Sequence, residues 1–159
     1  MAAIPSLPAT LSPPLSGRDA VADALYRLIL GLDSNDKDLF DSAITDDMAF
    51  TVNGKTTQGR EAIHSELFGR IGKLDTTHHI TNLRINILDG EKKASLTAIA
   101  LAQHYNEGKG MAPEQPYLLI GSLYRIELVK GESDGQWRVE KFDMKTNWAQ
   151  GEWSILLGN

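Results

Sequence analysis

The chain has no cysteine among its 159 residues. That excludes disulfide staples, thiolate nucleophiles and cysteine-ligated zinc or iron–sulfur centres. A chain of this length does not need them, because a domain of about 150 residues buries enough surface to hold its own core. Nowhere does an apolar run approach the roughly 20 residues of a membrane span, so no membrane partner is expected. Met1 to Leu15 contains no lysine or arginine and so lacks the basic start of a secretory signal. Pro5, Pro8, Pro13 and Pro14 break any helix there. Residues 1–15 are expected to form a flexible arm, followed by one domain over residues 16–159, with the cytoplasm as the default compartment. Positive charge is also scarce: 16 Lys and Arg against 21 Asp and Glu leave a net charge of −5. No basic patch marks a nucleic-acid binder. Nucleophile-elbow, dinucleotide and phosphate-loop spacings are missing, as are the HxH and HExxH patterns of a zinc site, and no metal is predicted.

What is present divides into two halves. Ser16 and Asp19 open a helix, on which Val21, Leu25, Leu28, Ile29 and Leu32 recur at helical spacing. Gly31 and Asp33-Ser34-Asn35 are expected to end or bend it. A short helix follows over Lys37 to Ala43, and Thr45-Asp46-Asp47 reads as a turn. Met48 to Val52 reads as a strand, Asn53-Gly54 as a hairpin turn, and a short strand runs to Gln58. A third helix opens at Gly59 and closes after Ile71. From Thr76 the period becomes strand-like, with strands expected near 77–88, 94–105, 117–130 and 136–146. The longest loop, Asn106 to Pro116, is a candidate lid. Helices first and strands after mean an α+β domain with helices packed on one face of a curved sheet.

The histidines carry the chemistry. His64 sits on the third helix and is expected to be merely solvated. His78 and His79 are consecutive on a strand and point to opposite faces; alternation alone leaves open which faces inward, because a bulge would exchange the faces. On the next strand Ala98, Ala100, Ala102 and His104 share one side. Pairing across Asp89-Gly90 brings position 78 opposite about position 101, with His104 near the same end. A row of alanines ending in histidine, beside a second histidine, leaves room for a ligand against an acid/base pair. A strand histidine can equally be structural. Trp137, Trp148 and Trp153 cluster late in the chain as core, interface or pocket wall.

Several stretches together resemble a known family. They are Gly31 to Phe40, Thr45-Asp46-Asp47, Gly59 to Ile63, and Thr76-Thr77-His78-His79-Ile80-Thr81-Asn82 with its His-x-x-x-Asn spacing. Trp137-Arg138-Val139 with Trp148 and Gly151 completes the set. In order and spacing they look like a SnoaL-like protein of the NTF2-like superfamily, over roughly residues 18–157, nearest the scytalone dehydratase and bile-acid 7α-dehydratase branch. The resemblance implies a cone-shaped α+β barrel: a curved, mostly antiparallel sheet with three helices from the N-terminal half enclosing a pocket. It implies a homodimer formed through the sheet, a small-molecule substrate and no cofactor. In the dehydratases a strand histidine matching His78 is the base, a second one in scytalone dehydratase matches His104, and an acid ending the first helix in both matches Asp33. Their first-helix tyrosine falls at Leu28 here, with Tyr26 two residues earlier. Tyr124, with Ser122 on the same face, is a substitute, and Asn82 completes the expected substrate contacts.

The leading expectation is a lyase or isomerase of the dehydratase or cyclase type, acting on a polyketide-, terpenoid- or steroid-like molecule. His78 would remove a proton, Asp33 would orient it, His104 would donate a proton, and Tyr26 or Tyr124 would hold the oxyanion. The alternatives are a non-catalytic ligand-binding or protein-interaction module, and a catalyst that only shapes a reactive intermediate within a cavity.

Overall fold

A computed structural model of the chain describes residues 4–158. The first helix, α1 (Gly17–Asp33), buries Val21, Leu25, Leu28 and Leu32 along one face. Ser16 occupies its N-cap position without a side-chain hydrogen bond, so burial of the apolar stripe holds this helix more than capping does. The helix does not stop at Gly31. That glycine is where α2 (Lys37–Ser42) comes closest: a Cβ there would lie 2.6 Å from the Phe40 nitrogen. Asp36 caps α2 by accepting the Leu39 N–H at 3.0 Å. Because α1 continues past Gly31, its last residue is Asp33.

Buried Arg27 ties this corner together. Its Nε pairs with Asp23 at 2.8 Å, Nη1 donates to the Ser42 carbonyl at 2.6 Å, and Nη2 donates to the Trp137 carbonyl at 2.8 Å. The expected arm falls partly on residues 1–3, which lie outside the described residues. Residues 4–16 form no helix or strand. They meet Gln136, whose side-chain amide donates to the Ala9 carbonyl at 3.5 Å and the Thr10 hydroxyl at 2.5 Å.

Six strands make one sheet: β1 (Ile44–Val52), β2 (Lys55–Gln58), β3 (Asp75–Ile87), β4 (Lys93–Tyr105), β5 (Tyr117–Lys130) and β6 (Trp137–Gly151). Their order is β2-β1-β6-β5-β4-β3, and only β1 and β6 run parallel. The architecture is α+β, as the order of periods predicts. It is an open curved sheet, not a closed barrel, because β2 and β3 remain its unpaired edges.

Local departures from the sequence reading have local causes. Thr45-Asp46-Asp47 belongs to β1 as an irregular stretch, since the pairing with β6 jumps between Ile44 and Ala49. Asp46 there meets Arg60 at 2.8 Å. The third helical region is α3 (Arg60–Ile63), a π-helical turn (His64–Phe68) and α4 (Gly69–Ile71). His64 is not simply solvated: its Nε2 lies 2.5 Å from Asp41 Oδ1 and ties this turn to α2. Strand β6 extends past its expected end because its pairing with β5 continues to Gly151 opposite Leu118, and Gly121, without a Cβ, leaves room for the Trp148 ring. Of the three late tryptophans, Trp137 is a core residue, while Trp148 and Trp153 are exposed. A short helix unforeseen from sequence, α5 (Ser154–Leu157), follows β6. No helix among the described residues is long and apolar enough to cross a membrane.

The core lies between the sheet and the helices, with Leu25, Phe40, Met48, Leu96, Ile126 and Val139 fully buried. Gly31→Ala should cost about 1–3 kcal/mol of unfolding free energy in urea, because overpacking at the α1–α2 contact outweighs alanine's helix preference. Unchanged or increased stability would show that this close approach constrains nothing.

Candidate active site

The register of β3 on β4 assembles the site. Thr76 pairs with His104 and His78 with Ala102, one position from the expected pairing. Thr76, His78 and His104 therefore share the concave face, and His79 is exposed on the other. Between Thr81 and Arg84 the strand bulges, with Asn82 at a φ of 56°. The bulge exchanges the faces, so Ile80 precedes it and Leu83 and Ile85 follow it on the core side. It also sends Asn82 to the outer face, beside Arg84 and Thr97. The structure does not bring Asn82 to the cavity.

Asp33 reaches β3 from the end of α1. Its Oδ1 lies 2.6 Å from His78 Nδ1, and its Oδ2 accepts the His78 backbone N–H at 2.8 Å. An ionised carboxylate only accepts, so Nδ1 carries the proton and Nε2 is the basic nitrogen. The His78 and His104 rings are 5.2 Å apart, edge to face. Thr76 Oγ1 lies 2.7 Å from His104 Nδ1. Burial, with a contribution from His78, pushes the His104 imidazole down to about 4. His104 is therefore neutral near pH 7 and presents one N–H, not an imidazolium proton.

His78 and His104 lie in a cavity of about 310 Å³, whose wall also holds Leu28, Phe50, Ser122, Tyr124, Phe142 and Met144. This is near the lower end of the range for small-molecule sites. The small side chains of Ala98, Ala100 and Ala102 form the buried face of β4 beside it. Tyr124 packs edge-on against Phe142 at 4.7 Å. Burial and the Asp33 charge hold its phenol above the usual tyrosine range, so it stays a donor. Ser122 is two residues along the same buried face.

Tyr26 is not in this cavity. It is half-exposed and lines a separate hollow of about 290 Å³ with Leu7, Leu11 and the far side of the Asp33–His78 pair. The loop 106–116 is not its lid either. Asp75 holds that loop by accepting the Gly108 and Gly110 N–H groups at 3.1 and 2.7 Å, while Met111 is wholly exposed. The mouth is instead bounded by Lys55, Thr57, Glu66, Arg70, Leu156 and Leu157. None of these was foreseen, because β2, α4 and α5 meet only in three dimensions. Thr76 could have been found from the register alone. Among the described residues no three His, Asp or Glu side chains converge as metal ligands.

A curved sheet backed by helices, enclosing an apolar cavity with polar groups at one end, is the NTF2-like arrangement. The chain belongs to the SnoaL-like domain family, which residues 13–143 match. It is 46% identical over 154 residues to the terrestric acid biosynthesis cluster protein E of Penicillium crustosum, covering 97% of this chain and 98% of that one. Among solved structures, it matches a scytalone dehydratase-like protein of Novosphingobium aromaticivorans with a TM-score of 0.71 at 22% identity, over 85% of this chain and 87% of that one. It also matches the LinA-type3 hexachlorocyclohexane dehydrochlorinase of Novosphingobium barchaimii with a TM-score of 0.67 at 23% identity, over 86% and 90%. At these identities the two structures establish the fold.

The depressed His104 value fixes a pH dependence of stability. In the unfolded chain histidine titrates near 6.5, so its stabilising contribution is complete above about pH 6.5 and is lost as pH falls toward about 4. Urea unfolding at pH 7 and pH 4.5 should show a wild-type loss of about 2–3 kcal/mol that His104→Gln does not share. An equal loss in the variant would place the acid sensitivity elsewhere.

Proposed function

We propose that this protein is a lyase or isomerase of secondary metabolism that works by side-chain acid–base chemistry on a small polyketide-, terpenoid- or steroid-like molecule. The observation that carries the reading is the 2.6 Å Asp33–His78 contact at the wall of an apolar cavity. Its place in a biosynthetic cluster is supported by the Penicillium relative.

His78 Nε2 removes a proton from a carbon made acidic by a neighbouring carbonyl. Asp33 keeps the proton on Nδ1 and stabilises the imidazolium that forms. The negative charge moves to the substrate oxygen, where neutral His104, Tyr124 and Ser122 supply donors. Such donors, fixed before reaction in a water-poor cavity, stabilise the developing oxyanion without reorganising. The imidazolium then returns its proton, to a leaving hydroxyl in a dehydration or to another carbon in an isomerisation. The requirement for proton transfer separates this reading from a cavity that only shapes an intermediate.

The polar floor also weighs against a purely passive ligand cavity, which has no need of a carboxylate-held histidine. A homodimer through the outer sheet face is part of the proposal, supported by Ile99, Leu101 and Leu123, each about two-fifths exposed on adjacent strands. Sedimentation of wild type and Leu123→Lys should give a dimer and a monomer; a wild-type monomer removes that part.

His78→Ala should lower turnover by about 10²–10⁴-fold, and Asp33→Asn should lower it substantially while thermal unfolding stays cooperative. Assay of the cluster intermediate by product mass and stereochemistry gives the readout. Full turnover by His78→Ala removes the acid–base reading.

A further inference from the structure

We propose that the substrate is an anion whose charged group, a carboxylate or a vinylogous acid, is held at the cavity mouth by Lys55 and Arg70. This rests on the reading of the cavity as the substrate site and names the chemical class that enters it.

The mouth is built from separate walls. Lys55 and Thr57 come from β2, Glu66 and Arg70 from the π-helical turn and α4, and Leu156 and Leu157 from α5. The walls stand close together, since the Thr57 hydroxyl donates to Glu66 Oε2 at 3.0 Å. Among the described residues neither Lys55 nor Arg70 has an ion-pair partner. The Arg70 guanidinium donates to the Leu156 carbonyl, a neutral acceptor. Further N–H groups of its five remain for an anion. Glu66 is the one acid in the lining, so two cations face one carboxylate in a chain whose net charge is −5.

The inner end has the opposite polarity. Asp33 stands behind His78, and its charge is felt at Tyr124. His104 is neutral there, and no lysine or arginine lines that end. An anionic group is repelled from the floor and attracted to the mouth. Between them Leu28, Phe50, Ile120, Phe142 and Met144 accept an apolar body. A molecule with one acidic end is thus oriented before any specific contact forms. Its far end is delivered to His78, which makes Lys55 and Arg70 specificity residues rather than catalytic ones.

Hexanoate, the enolate of dimedone and uncharged hexanamide distinguish the possibilities by calorimetry, with the Met144 methyl resonance reporting occupancy of the cavity. Hexanoate or dimedone should bind about 10-fold tighter than hexanamide, and whichever binds better identifies the acid type. Lys55→Gln and Arg70→Gln should each weaken the anion about 3- to 10-fold and leave hexanamide within about twofold. Raising salt to about 0.5 M should remove most of the preference. Equal binding of amide and anions, with Met144 perturbed by all of them, overturns the anionic assignment and leaves the cavity reading standing. No perturbation of Met144 by any probe overturns both.

Discussion

One carboxylate joins the two halves of this protein. Asp33 ends the longest helix and accepts two hydrogen bonds from a single residue of β3, one from the His78 imidazole and one from its backbone N–H. The first fixes the tautomer of the imidazole. The second fixes where the strand lies relative to the helix. Both depend on α1 continuing through Gly31, and that is possible because α2 approaches a residue without a Cβ. The position of the His78 imidazole is thus set by backbone packing between two helices on the other side of the carboxylate.

The same carboxylate divides the labour between two imidazoles 5.2 Å apart. Only His78 has an acid against its ring nitrogen; His104 has a threonine hydroxyl. Two like cations this close repel, so charging His78 further disfavours charging His104. One ring can accept a proton while the other remains a neutral donor. The cavity extends this asymmetry outward, from an anion behind its floor to cations at its mouth.

Much of this was legible in the sequence because periodicity and residue size carry it. The alanine row ending in His104 predicted the open face of β4, and Asp89-Gly90 predicted the pairing of His78 within one residue. Asp33 came from a family resemblance and its residue match, whereas Tyr124 and Ser122 came from their shared face of one strand, as substitutes for a tyrosine that the resemblance does not find here. What stayed hidden has a common cause. The bulge at Asn82 reverses the strand's faces without a glycine or proline to announce it. The mouth residues come from β2, the π-helical turn, α4 and α5, and α5 lies far along the chain from the other three. Tyr26 failed because helical position alone does not say which of two hollows a side chain meets. The depressed titration of His104 depends on burial, which a strand-end histidine does not advertise.

Everything at this end of the cavity depends on Asp33 holding His78 with its proton on Nδ1, which leaves Nε2 as the basic nitrogen. Nitrogen-edited NMR of the histidine side chains at pH 7 tests this directly. His78 should show the Nδ1-protonated tautomer, with a strongly downfield, slowly exchanging N–H proton that disappears in Asp33→Asn. An Nε2-protonated His78, or a downfield proton that survives the Asp33 substitution, would contradict the account.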